Sequence, residues 1–293
     1  MISWPARLSA RAAVDVVAIL CVLGCFSACS PRQASPAKLN DTGITWGADY
    51  PKGNRRSCQG AIVDGGERSG ISGIDNAGDI ISYQDCNQGL DRLQQEQGLD
   101  GLAQFKYLRF DYRGATLTSD SQMRAACVFD EVSGLLWELK LSADGVAGNQ
   151  GMHDSDDLYT WYNSSPKING GAIGDWNSDM AQCTGYVRGQ PTTYCNTEEY
   201  LNRINRQGLC GARDWRLPSR IELQSLVHYG RTEPAIDVGF FPATQNKFYW
   251  SLSPFAQHSG SAWAVNFQFG YAAPVQRNNA RALRLVRQGR PDR

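Results

Sequence analysis

"CGARDWRLPSRIEL", Cys210 to Leu223, sets a cysteine, a tryptophan and an arginine ahead of a Pro-Ser pair and an apolar stripe. Ser219 followed three residues later by Glu222 has capping-box spacing, in which the serine side chain accepts a backbone N–H and the glutamate reaches back. Leu223, Leu226 and Val227 continue on one stripe and Gly230 lies past its end, so the spacing predicts a helix opening at Ser219. Upstream, Trp215 and Leu217 read as a short apolar strand or staple. The preceding "NTEEYLNRINRQGLCG" repeats the device: Asn196 stands three residues before Glu199, Tyr200, Leu201 and Ile204 form one face, and Gly208 stops the helix. The stretch is expected to be a structural corner, with its tryptophan and leucine buried, its serine capping and its cysteine crosslinked.

Strand patterns surround this corner. "CVFDEVSGLLWELK" alternates around Ser133-Gly134, and "FKYLRFDYRGATL" turns at Arg113-Gly114, so both predict hairpins. "KFYWSLSPF", "SAWAVNFQFG" and "ARALRLVR" read as short strands of an antiparallel sheet, the last closing the domain. Two helices with a twisted antiparallel sheet make an α+β fold. Gly145 to Thr193 reads as a long structured loop with Trp161, Tyr162, Trp176 and Tyr186 to bury. The predicted division is a signal peptide over 1–29, a tether over 30–40, an irregular Gly-rich region over 41–126 and the α+β domain over 127–289. Within the irregular region "DNAGDIISYQDC" can be one strand.

The N-terminus predicts export. Arg7 and Arg11 precede an apolar run of 13 residues, Val16 to Ala28. That is too short to cross a hydrocarbon layer of about 30 Å but suits a signal-peptide core. Small residues stand before Cys25 and Cys29 in the manner of a bacterial lipobox; Cys29, with Ser27 and Ala28 before it and a Pro-containing tether after it, is the expected lipidation site and Cys25 the alternative. The expected location is the bacterial cell envelope, with the membrane as a partner through that lipid. The charge of 29 basic against 29 acidic residues argues against nucleic acid as a partner. Beyond the expected signal peptide six cysteines remain, an even number in an exported chain, and predict disulfides. Fifteen pairings are open; the expected ones are Cys58–Cys86, Cys127–Cys210 and Cys183–Cys195.

The succession "CVFDEVSGLLWELK", "HDSDDLYTWYN", "GLCGARDWRLPSRIEL", "PAIDVGFFP", "YWSLSPF" and "ALRLVR" resembles the bacterial family named for the C-terminal domain of the Legionella collagen-like adhesin. The resemblance implies a C-type-lectin-like fold, a surface or periplasmic location and a binding role; the namesake adhesin binds sulfated polysaccharides through this domain. "WRLPS" also resembles a segment of the formylglycine-generating enzymes, but those rely on cysteines near the C-terminal end, and this chain has none after Cys210.

No nucleophile elbow, zinc-protease or phosphate-loop motif occurs, and His153, His228 and His258 lie far apart, so no enzyme is expected. His228 reads as a partly buried residue at a helix end. Asp154, Asp156 and Asp157 in "HDSDD", with Asp175 and Asp179 nearby, are candidate oxygen ligands for Ca²⁺; the alternative is aspartates capping turns. The lectin-type calcium motif corresponds only loosely to Glu233-Pro234-Ala235, where Ala235 offers no side-chain oxygen. Arg277, Arg281 and Arg284 are candidate ligands for an anionic polysaccharide, against a reading as structural arginines paired to acids such as Asp214 or Glu222. The expected function is adhesion or ligand binding, with polysaccharide or a surface protein as partner; the alternatives are a subunit of a surface assembly and, after it, an uncharacterised envelope enzyme.

Overall fold

The computed structural model describes Thr42 and residues 46–49, 54–57, 105–118 and 124–291. The expected signal peptide, lipidation sites Cys29 and Cys25, tether, Cys58–Cys86 pair and strand at 75–86 lie outside the described residues. Strands β1 (Trp46–Asp49) and β2 (Asn54–Ser57) form an antiparallel pair. A five-stranded antiparallel sheet follows, with β3 (Tyr107–Phe110), β4 (Thr116–Leu117), β5 (Cys127–Asp130), β6 (Leu135–Glu138) and, from the far end of the domain, β10 (Val286–Gln288). Their spatial order is β10-β6-β5-β3-β4. Strands β7 (Phe248–Pro254), β8 (Ser261–Asn266) and β9 (Tyr271–Gln276) form a separate three-stranded antiparallel sheet. Helices α1 (Thr197–Gln207) and α2 (Arg220–Gln224) lie between the sheets in sequence, so the fold is mixed α+β.

Both predicted hairpins form, with Gly134 and Gly114 at positive φ. The second brings β3 and β4 from ahead of Cys127 into the main sheet. All four residues of β6 are buried because the sheet is covered on both faces. Leu136 enters one apolar cluster with Tyr159, Trp161, Tyr200, Trp250 and Leu285, while Leu135 and Trp137 enter another with Leu223, Phe241, Tyr249 and Phe267. The run Leu135-Leu136-Trp137 thus feeds two cores from one strand. Strand β9 was not anticipated because Pro274 interrupts its pattern. It forms as an edge strand, where a missing N–H is tolerated.

The corner at 210–223 is built largely as expected. The Trp215 indole N–H donates to the Leu209 carbonyl at 3.1 Å, and Trp215 and Leu217 are buried. Cys210, at φ 50°, bonds to Cys127 across 83 residues. The Ser219–Glu222 capping box is complete, and Glu222 also takes both guanidinium nitrogens of Arg216 at 2.8 and 2.6 Å. Helix α2 stops at Gln224, earlier than the stripe implied. The Ser225 hydroxyl donates to the Glu222 carbonyl at 2.7 Å, and Leu226 and Val227 are buried from turns instead. Helix α1 is capped by Asn196, which accepts the Glu199 N–H at 2.9 Å, and ends at Gly208, φ 86°. The second expected pair, Cys183–Cys195, closes across 12 residues ahead of it.

Candidate functional site

The three aspartates of "HDSDD" are buried, and all six of their carboxylate oxygens accept protein hydrogen bonds. Asp154 takes the N–H groups of Gly148, Asn149 and Gln150 on Oδ2 and that of Asp156 on Oδ1. Asp156 takes the N–H groups of Asp144 and Gly145 on Oδ2, each at 2.8 Å, and the Gln245 amide on Oδ1. Asp157 takes Gly148 N–H on Oδ1, and Thr184 N–H with the Tyr159 hydroxyl on Oδ2. Carboxylates accepting these N–H and O–H donors fold the 144–150 loop, the turn-capping arrangement weighed against an ion site in the sequence. No group of three or more His, Cys, Asp or Glu able to hold a metal converges among the described residues.

Sequence reasoning missed a buried polar cluster around Glu138. As the last residue of β6 it shares the face of Leu136, toward α1. Its Oε1 meets Lys140 Nζ and His153 Nδ1, each at 2.8 Å, and accepts from the Tyr200 hydroxyl, while Oε2 accepts Leu285 N–H at 2.9 Å. Lys140 Nζ also donates to the Tyr200 hydroxyl at 2.7 Å and lies 4.3 Å from its ring centroid. Burial by itself raises the Glu138 carboxyl pKa, but the Lys140 charge and the bonds from His153 and Lys140 prevail and bring it from 4.5 to about 2. Burial lowers the Lys140 pKa, opposed by Glu138. Burial beside these carboxylates also holds the Tyr159 and Tyr200 phenols well above their usual range. The signal was the sequence "WELK", whose polar residues sit in an otherwise buried strand register.

His228 is buried, and its Nδ1 accepts the Gly230 N–H at 3.2 Å, which fixes the tautomer with the proton on Nε2. Burial, then the Arg231 charge, lowers its pKa. Glu233, joined to Pro234 by a cis peptide, accepts the Gln268 amide at 3.1 Å, and Ala235 is buried.

The C-terminal arginines do not share one face. Arg284 is 1% exposed, donates to the Thr244 hydroxyl at 2.8 Å and lies over the Phe241 ring at 4.7 Å, so it faces the core rather than a ligand. Arg281 is half-buried near Phe248 and donates to its neighbour's carbonyl. Arg287 is the arginine that takes Asp214, at 2.6 Å. Of the three expected ligand residues, Arg277 lines a groove.

That groove has a volume of about 580 Å³, within the range of small-molecule sites. One wall is Ala172, Ile173, Gly174 and Asp175; the other is His258 and Gly260 from the β7–β8 turn and Gln276, Arg277 and Asn278 from the end of β9. Gly174 permits this closeness: a Cβ there would stand 2.1 Å from the Trp161 carbonyl oxygen, and its φ is +88°. The Arg277 guanidinium stacks 3.9 Å from the Trp161 ring centroid, donates through Nε to the Ser261 carbonyl at 3.1 Å and through Nη1 to the Ala172 carbonyl. Its Nη2 has no partner, the residue is 2% exposed, and no carboxylate pairs with it among the described residues. Burial lowers its pKa, but a guanidinium stays charged. A buried cation without a counter-charge is unfavourable and favours an incoming anion.

Trp161 is buried as expected, but Trp176 and Tyr186 remain about half exposed. Among the described residues no helix is long and apolar enough to cross a membrane. No curated protein and no solved structure matches the chain. The Lcl C-terminal domain family matches residues 126–287, more than half of the 293 residues, and takes in β5 to β9, both helices and the groove; the chain belongs to this family, whose membership points to an adhesin-like module at a bacterial surface.

Proposed function

We propose that this chain is an exported lipoprotein whose C-type-lectin-like domain binds anionic polysaccharide at the cell envelope without chemically altering it. The observation that carries the reading is Arg277, a cation 2% exposed in a groove wall with an N–H left over and no acidic partner among the described residues. A guanidinium fixed on Trp161 behind the groove wall keeps a positive charge there that attracts a sulfate or carboxylate. The lipid sits on Cys29, or on Cys25, once the preceding residues are removed; the tether then holds the domain away from the bilayer. Binding of fluorescent dextran sulfate, with uncharged dextran as control, tests the reading. Affinity is expected to fall as salt rises and to be unchanged by chelator. Gln276→Glu with Asn278→Glu, both at exposed positions on the groove rim, is expected to weaken binding several-fold. Dextran sulfate affinity indifferent to both salt and the double substitution overturns it.

A further inference from the structure

We infer that the exposed rings of Trp176 and Tyr186, backed by the buried Tyr194, form a second subsite that stacks on the uncharged faces of pyranose rings in a glycan chain. The inference rests on the domain being a polysaccharide-binding module but uses residues distinct from the arginine groove. Tyr194, 7% exposed, lies between the other two: its ring centroid is 5.1 Å from that of Trp176 and 5.7 Å from that of Tyr186. The outer rings are 50% and 42% exposed. Large aromatic rings usually bury; these are held outward by their frame. The Cys183–Cys195 bond ties the two ends of the segment carrying Tyr186 and Tyr194. The Asn196 amide donates to the Trp176 carbonyl at 2.7 Å, and Val187 N–H donates to the Thr193 hydroxyl at 2.9 Å. A surface fixed before binding loses little entropy when a ligand arrives.

The chemistry of the rings selects the ligand. An aromatic face is electron-rich and prefers polarised C–H groups. A pyranose whose hydroxyls are equatorial presents such C–H groups on its faces. No guanidinium or ammonium occupies these three rings among the described residues, in contrast to Trp161 beneath Arg277 and Trp263 beneath Arg220. The exposed ring area is roughly 200 Å², well short of the ~800 Å² per partner that a stable protein interface covers, which favours a slender chain over a folded partner. Exposed Asn177, next to Trp176 in the chain, can meet sugar hydroxyls. Trp176 directly follows Asp175 in the groove wall, so the two subsites adjoin along the chain.

Titration of the mature chain with cellohexaose, a neutral glucan with equatorial hydroxyls, tests the platform, and dextran sulfate reports on the groove in parallel. Cellohexaose is expected to change tryptophan fluorescence in the wild type. Trp176→Ala and Tyr186→Ala are each expected to weaken its binding about tenfold while leaving the melting temperature unchanged. The groove double substitution is expected to leave cellohexaose binding intact. If dextran sulfate binds but cellohexaose does not, or binds both ring variants as well as the wild type, the platform is overturned and the groove stands. If neither probe binds the wild type, the polysaccharide reading falls with it.

Discussion

Replacing Glu138 by Gln removes the only carboxylate that Lys140 contacts in the cluster and leaves an ammonium whose side chain is 3% exposed facing a neutral amide. Two independent routes give the size of the loss. A carboxyl pKa lowered from 4.5 to about 2 corresponds to about 3 kcal/mol of stabilisation by the ionised form. Removing one partner of a buried ion pair costs about 3–5 kcal/mol. For a domain of this size that lowers the melting temperature by roughly 10 °C. The pH dependence identifies the cause. Because the folded-state pKa lies below the unfolded value, the stabilisation is complete above about pH 4.5 and is lost as pH falls toward about 2. Denaturant unfolding of both proteins between pH 7 and pH 2.5, disulfides intact, is expected to show a wide and constant gap at neutral pH that narrows in acid. Adding Lys140→Met to the Gln variant is expected to recover much of the loss, since the unpaired charge is then gone. A gap below 1 kcal/mol at pH 7, or one that does not narrow in acid, refutes the reasoning.

Gly174→Ala is expected to cost more than about 2 kcal/mol, read by thermal unfolding, and to weaken dextran sulfate binding, because the added carbon meets the Trp161 carbonyl at 2.1 Å in a left-handed backbone. The two disulfides are expected to differ in weight. By loop-closure entropy, opening Cys127–Cys210, which spans 83 residues, costs about 4.5 kcal/mol, while opening Cys183–Cys195, which spans 12, costs about 3. Paired Cys→Ser substitutions compared by urea denaturation check the order, and equal or reversed losses would contradict it.

Features read from the sequence were those whose physics is local or whose partner is chemically forced. Ser219 and Glu222 cap a helix wherever that helix lies, Gly134 and Gly114 turn hairpins because they adopt positive φ, and paired cysteines need only be brought together. The Cys127–Cys210 and Cys183–Cys195 bonds, both helix starts and the strands around Trp137 and Trp250 were therefore legible. Strand β9 was not, since an edge position that forgives Pro274 is a property of the sheet. The sites needed the tertiary structure for the same reason. Arg277 and Arg284 stand seven residues apart in one basic stretch with nothing local to separate them, yet one meets Trp161 at a groove and the other is sealed against Phe241. Asp154, Asp156 and Asp157 look like ion ligands until the 144–150 backbone folds its N–H groups onto them. The Glu138–Lys140 pair, His153 and Tyr200 come from three separate parts of the chain, and only packing made them one cluster. Periodicity and caps depend on neighbours along the chain, whereas charge partners, solvent exposure and converging side chains depend on neighbours in space.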